Sequence, residues 1–255
     1  MKGHWRIAVG AMIVMLAAGV LRWSTIAVES LWSPTRISAA TAGQITGMVK
    51  FDGAAPRLKP IDMSGDPSCA QTRGGSQATA ENVVVGANGG LANVVVYISQ
   101  GLSGAGPVSS QPVRLGQKGC QYVPHVVAVN PGQPMTITND DKTTHNIHTA
   151  PKPDGGNKGW NRSQLTGGPA IDVKWPAEEV AIPVKCNVHP WMRGYIVVVK
   201  GPYSVTNSAG SFSLDGVPLG TYTLTAWQET YGTQTQSITV TAGKPAMANF
   251  TFKAK

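Results

Sequence analysis

Val184-Lys185-Cys186-Asn187-Val188-His189-Pro190-Trp191-Met192-Arg193-Gly194 decides how the rest of the chain is read. A cysteine, a histidine three positions on and a methionine three positions further place a thiolate, an imidazole and a thioether within one turn. A strand pattern precedes the stretch between Val173 and Pro183, and an apolar strand, Tyr195 to Lys200, follows it directly. Three donors on a loop between two strands need a rigid β framework beneath them.

The composition agrees with that requirement. Of 255 residues, 42% are hydrophobic and only 13% charged, with 30 glycines and 18 prolines. Such a chain favours turns and strands, and no long 3.6-period segment with charges on one face is present. Gln44 to Phe51 alternates with period two and ends at Asp52-Gly53, a turn signal. Glu81 to Val85, Leu91 to Ser99, Pro112 to Gly116, Gln121 to Val129, Pro134 to Asn139 and Thr143 to His148 read as further strands. Ala54 to Ala80 and Ala150 to Ala170 read as long irregular loops. Beyond Gly201, strands are expected around Ser204, Ser211, Thr221, Ser237 and Met247. The fold class is all-β.

A second histidine must complete the donor set, and the chain has five. His4 lies in the N-terminal apolar segment. His125 sits in an apolar stretch and reads as a hydrogen-bonded core residue. His148 is an alternative ligand that reads better as a partly exposed strand residue. His145 follows a strand and the turn Asp140-Asp141-Lys142, where a side chain can be aimed at a neighbouring loop. Asn146 beside it can tie that segment to the cysteine loop and so orient the ligands. His145, Cys186 and His189 with a weak axial Met192 form the donor set of a type 1 copper site. Zinc accepts Cys and His but rarely Met, and no second cysteine pair is present. Cys186 as a hydrolytic nucleophile leaves Met192 unexplained and lacks an identifiable oxyanion hole.

The N-terminus carries Lys2 and Arg6, then an apolar run from Ile7 to Leu21 closed by Arg22. This reads either as a cleaved secretory signal or as an uncleaved membrane anchor. Both place the remainder outside the cytoplasm. Three cysteines leave one odd. A Cys69–Cys120 disulfide with Cys186 free is the simplest account; the alternatives are two reduced cysteines or a pairing that consumes Cys186. The net charge of +8 is spread along the chain. No basic run with interleaved aromatics exists, so nucleic acid is not an expected partner.

The stretch from Pro112 to Val199 resembles the cupredoxins. Asn130-Pro131-Gly132-Gln133 before Met135-Thr136-Ile137-Thr138-Asn139, then Thr144-His145-Asn146-Ile147-His148, is similar to that family's approach to its first histidine. Cys186 to Gly194 is similar to the compact ligand loop of amicyanin, with Trp191 in place of Phe; plastocyanin has a longer spacing from His to Met. The resemblance implies a Greek-key sandwich with one type 1 copper, and a single-electron carrier, not an enzyme. It implies a redox partner, a cytochrome or a dehydrogenase, and the basic charge suggests that the partner's surface is acidic. It places the protein in a bacterial periplasm. Electrons are expected to pass through an exposed edge of His189, with Pro190 and Trp191 as an apolar docking patch. The alternatives are a copper-binding or copper-delivery protein and a structural module with a vestigial site.

The flanks resemble a carboxypeptidase regulatory-like, or transthyretin-like, β-sandwich: Gly43 to Gly53 and Leu91 to Ile98 on one side, Ser204 to Leu224 on the other. Each flank alone is small for a sandwich of about 100 residues. The expected organisation is therefore an export segment over 1–42, the first part of that second sandwich over 43–104, the cupredoxin-like domain over 105–200 and the second part over 201–255. The disulfide would staple the two domains.

Overall fold

A computed structural model describes residues 42–254 apart from 105 and 107. The export segment expected over 1–42, with His4, lies outside the described residues except for Ala42. In chain order the elements are β1 (Ala42–Asp52), α1 (Pro67–Thr72), β2 (Val95–Gln100), β3 (Val113–Gln117), β4 (Tyr122–Val123), β5 (Val126–Val129), β6 (Pro134–Asn139) and β7 (His145–Thr149). They continue with β8 (Asn161–Gln164), β9 (Ile171–Lys174), β10 (Glu179–Lys185), β11 (Arg193–Val198) and β12 (Tyr203–Val205). The last four are β13 (Ser211–Pro218), β14 (Gly220–Gln228), β15 (Gly232–Val240) and β16 (Ala246–Lys253).

Four sheets result. One has the order β13-β1-β16 and a second β12-β2-β14-β15. Ile45, Val49 and Phe51 of β1 and Phe212 and Leu214 of β13 bury their side chains with Val96, Ile98, Leu224 and Phe250, so these two sheets share one core. The other two sheets, β5-β11-β10-β7-β8 and β4-β3-β6-β9, share a core with Leu115, Ile137, Ile147, Trp175, Ile182, Val184 and Ile196. The strands of the second sandwich thus come from one continuous stretch of chain. The first sandwich takes its strands from both sides of that stretch.

The period-two rule explains how the sandwiches meet. Every residue of β5 is buried. Val127 and Val129 enter the second core, whereas Val126 and Ala128 join Val95, Val197, Val199 and Trp227 in a third cluster. Alternate side chains of one strand point to opposite faces. A strand covered on both faces therefore reads as a continuous apolar run. β5 pairs in parallel with β11, and the two strands share this double duty.

Three sequence expectations need correction. Glu81 to Val85 is not a strand; only Val85 bridges, to Leu91. The loop from Ala150 to Ala170 contains β8, which pairs with β7 from His145↔Gln164 to His148↔Asn161. Its polar Asn-Arg-Ser-Gln sequence forms an edge strand without an apolar face. Finally, the stretch over 43–104 does not belong wholly to the first sandwich. Residues 59–80 form an excursion closed at its neck by the Pro60↔Thr79 bridge and by Ile61 N–H donating to the Ala78 carbonyl at 2.8 Å. Its Met63, Cys69 and Ala78 are buried in the core of the second sandwich. Apolar side chains placed against that core gain more from burial there than in solvent.

Candidate metal centre

β10 and β11 pair antiparallel as far as Lys185↔Arg193, and residues 186–192 close the hairpin. Cys186 N–H donates to the Met192 carbonyl at 3.1 Å, and Met192 N–H donates to the His189 carbonyl at 2.9 Å. These two bonds turn the loop inward. Cys186, His189 and Met192 are consequently buried, with relative exposures of 3%, 1% and 0%. β7 lies beside β10 through Val184↔Thr149 and Lys185↔His148, which brings its first residue, His145, to the same end.

His145, Cys186 and His189 offer donor atoms that all lie within 4.8 Å of one another. Nδ1 of His145 is 2.9 Å from Nδ1 of His189, and Cys186 Sγ is 3.7 Å from the latter. Met192 shares the buried core with Cys186. Asn146 N–H and His189 N–H each donate to Cys186 Sγ at 3.4 Å. The Asn146 side chain accepts from Asn187 N–H and donates to Asn161, tying β7 to the cysteine loop and to β8. Tyr122 donates its hydroxyl to the Asn146 carbonyl at 2.6 Å.

Burial alone would raise the Cys186 thiol. The hydrogen bond with His145 and the N–H groups of Asn146, His189 and Val188 outweigh it and bring the thiol down to about 6. Cys186 is therefore a thiolate near neutral pH, and thiolate is the metal-binding form. Burial also works against a charged His145, but its hydrogen bonds to Asp141 and Cys186, together with their charges, more than reverse this and raise its pKa.

Two carboxylates absent from the sequence reading complete the surroundings. His145 Nε2 donates to Asp141 Oδ2 at 2.8 Å, with both side chains fully buried. His189 Nε2 donates to Asp66 Oδ2 at 2.8 Å. Asp141 also accepts from the N–H groups of Gly119 and Cys120 at 2.7 and 2.8 Å. Both residues have positive φ, 62° and 53°, so consecutive N–H groups converge on one anion. Asp66 is the N-cap of α1, its Oδ1 accepting from Ser68 N–H at 2.8 Å, with Pro67 following. Asp66-Pro67 is a helix-start signal that the sequence does display. Nothing in the sequence indicates that the same carboxylate reaches His189, 123 residues away.

Cys69 and Cys120 are disulfide-bonded, and Cys186 is the free cysteine. The bridge pins α1 across the metal loop. The expected exposed edge of His189 is therefore absent: the excursion covers it, and Asp66 occupies the hydrogen-bonding position that an exposed imidazole would offer to solvent. The expected docking patch is likewise altered. Pro190 is exposed, but Trp191 is half-buried, donates its indole N–H to the Cys120 carbonyl at 3.1 Å and packs against His189 with centroids 5.2 Å apart. His148 stays outside the cluster and contacts Asn187. His125 is buried, with Nδ1 3.1 Å from the Arg193 carbonyl and Nε2 paired to Glu229.

Residues 194–253 match the family model of the carboxypeptidase regulatory-like domain. No curated protein matches the chain. Among solved structures, a purple cupredoxin from Nitrosopumilus maritimus is similar at 23% identity, over 34% of this chain and 99% of that one, with TM-score 0.28. Amicyanin from Paracoccus versutus is similar at 18% identity, over 41% and 97%, with TM-score 0.31. A copper-containing nitrite reductase from Thermus scotoductus is similar at 19% identity, over 39% of this chain and 25% of that one, with TM-score 0.32.

Proposed function

We propose that this protein is an exported single-electron carrier that holds one type 1 copper ion between His145, Cys186, His189 and Met192. One observation carries the reading. Both imidazoles set Nε2 against a carboxylate, so their inner Nδ1 atoms face each other and a cysteine sulfur. Two inward ring nitrogens and a cysteine sulfur, all within 4.8 Å of one another in a buried space, suit a cation. The soft thiolate, two imidazoles and a thioether suit copper.

Copper, when bound, would supply a one-electron couple. The chain's own residues supply the rest. The two N–H groups on Cys186 Sγ hold its charge, and the β10–β11 hairpin with the Asn146 ties fixes the donors relative to one another. Only 3% of Cys186 is exposed, so no substrate reaches its sulfur, which supports a carrier over an enzyme. The Cys69–Cys120 disulfide suits an oxidising compartment and so supports a periplasmic location. Among the described residues no helix is long and apolar enough to cross a membrane. Lys185 and Arg193 flank the exposed Asn187, Val188 and Pro190, which supports docking to an acidic redox partner at this tip.

The test is copper titration of the folded protein. One equivalent should produce an intense visible thiolate-to-copper absorption, and Cys186→Ser should abolish it while the protein stays folded. A colourless copper adduct of the natural sequence, or a coloured Cys186→Ser variant, overturns the reading.

The covered His189 favours a second reading, a protein that holds or delivers copper outside the cytoplasm. Such a protein would surrender its ion to a chelator faster than it exchanges electrons with a small redox reagent; a carrier would do the reverse.

A further inference from the structure

Asp66 and Asp141 approach the centre from separate parts of the chain, yet each makes the same contact. Each places a carboxylate oxygen 2.8 Å from the outer nitrogen of one ligand histidine. Neither contact is a chance surface pairing. Asp141 is fully buried and gripped by two N–H groups of residues held at positive φ. Asp66 is fixed by its own N-cap bond to Ser68, and α1 is fixed by the Cys69–Cys120 bridge. Thr143 Oγ1 donates to the same Asp66 oxygen at 3.4 Å.

We propose that Asp66 and Asp141 are positioning residues that orient His189 and His145 toward the metal and, through their two negative charges, hold the bound copper toward its oxidised state. The proposal rests on the copper reading given above. The physical argument has two parts. A carboxylate accepting from Nε2–H fixes the tautomer with Nδ1 as the metal donor and raises the basicity of that donor. It also places negative charge a single imidazole away from the ion, weakly screened at the fully buried Asp141 and more strongly at the partly exposed Asp66. Both effects stabilise Cu(II) over Cu(I) and so lower the reduction potential. Asp66 has the added feature of riding on the excursion 59–80, so the closure of this cap and the tuning of His189 are one structural event.

Replacing the Asp66 carboxylate by the isosteric amide keeps an acceptor but removes the charge. A hydrogen bond to a charged group exceeds a neutral one by roughly 1 kcal/mol. At fixed ambient potential, copper-loaded Asp66→Asn should therefore show a Cu(I):Cu(II) ratio about fivefold higher, equal to about 40 mV for one electron. Its visible spectrum should persist, and Asp66→Glu should recover part of the shift. Asp141→Asn should move the ratio in the same direction. Should that variant fail to fold because Gly119 and Cys120 lose their acceptor, Asp66→Asn still decides. A potential unchanged in Asp66→Asn with the absorption intact overturns the inference and leaves the carrier reading standing.

A second measurement needs no metal. Imidazole ¹⁵N shifts of the metal-free protein should show His189 as the Nε2–H tautomer, and Asp66→Ala should give a mixture of both. Identical shifts in the two proteins overturn the orienting role. Absence of the visible band in the natural sequence counts against the copper reading instead, and the ¹⁵N result then stands by itself.

Discussion

At the scale of single residues, chemistry was legible wherever spacing alone constrains geometry. Cys186, His189 and Met192 lie within one turn of sequence, so any hairpin loop brings them close. His145 needed one more step, a strand and turn aimed at that loop. Asp66 and Asp141 were not legible, because a carboxylate gains its role from what it faces and not from its neighbours in sequence. Asp140-Asp141-Lys142 reads as a solvated turn, yet Asp141 is 3% exposed whereas Asp140 pairs with the exposed Arg114. Met192 offers a test at this scale. Met192→Leu conserves volume in a fully buried position, so stability should fall by less than about 1.5 kcal/mol. The loop bonds from Cys186 and to His189 use only backbone atoms and remain. The visible copper spectrum and potential should nevertheless change, because the thioether is the one donor lost. Denaturant melts of the metal-free protein and spectra of the loaded one separate the two effects. A spectrum identical to that of the natural protein would remove Met192 from the ligand set.

At the scale of elements, the strands followed their period-two patterns and the exceptions have physical reasons. β8 is an edge strand with little apolar content, so only its pairing to β7 defines it. α1 has six residues, too few for a periodic signal, and its Asp-Pro start was the sole cue. The excursion it sits in follows β1 in sequence yet packs on the second sandwich, because the chain leaves and returns at one neck before continuing. Its position depends on the disulfide, which closes a separation of 51 residues. Loop-closure entropy predicts that replacing both Cys69 and Cys120 by Ser costs about 4 kcal/mol. The loss has a local consequence as well. With α1 released, Asp66 leaves His189, and the imidazole edge opens to solvent. Hydrogen exchange in the metal-free double variant should show loss of protection across residues 59–80 and the Cys186 loop, with β1 and β14 retaining theirs. Uniform loss across the protein would mean that the cap is not a separable element.

At the scale of the whole molecule, the two sandwiches are joined by more than the chain that passes between them. Trp227 of β14 stacks edge-on against Tyr195 of β11 at 5.4 Å, inside the shared apolar cluster with Val126 and Val197. Beside it, His125 of the second sandwich pairs with Glu229 of the first, both nearly buried. A cavity of about 390 Å³ opens here, lined by Lys59, Glu81, His125, Arg193, Tyr195 and Glu229. Burial opposes a charge on His125, but the hydrogen bond and charge of Glu229, the Glu81 charge and the Arg193 carbonyl overcome it and raise its pKa. Burial also raises Glu81. The sign follows directly. A histidine whose folded value is raised stabilises fully below its unfolded value of about 6.5, and that contribution is lost as pH rises through the folded value. Removing one partner of a buried pair leaves the other uncompensated, a cost of about 3 kcal/mol or more. Thermal melts of the natural sequence and of His125→Gln should therefore differ most at pH 6 and converge toward pH 9. The metal centre is not required for this, since the pair lies between the sandwiches and the comparison can be made without copper. A difference that stays constant across that range would place the His125–Glu229 contact among neutral packing interactions and leave the apolar cluster as the bond between the two halves.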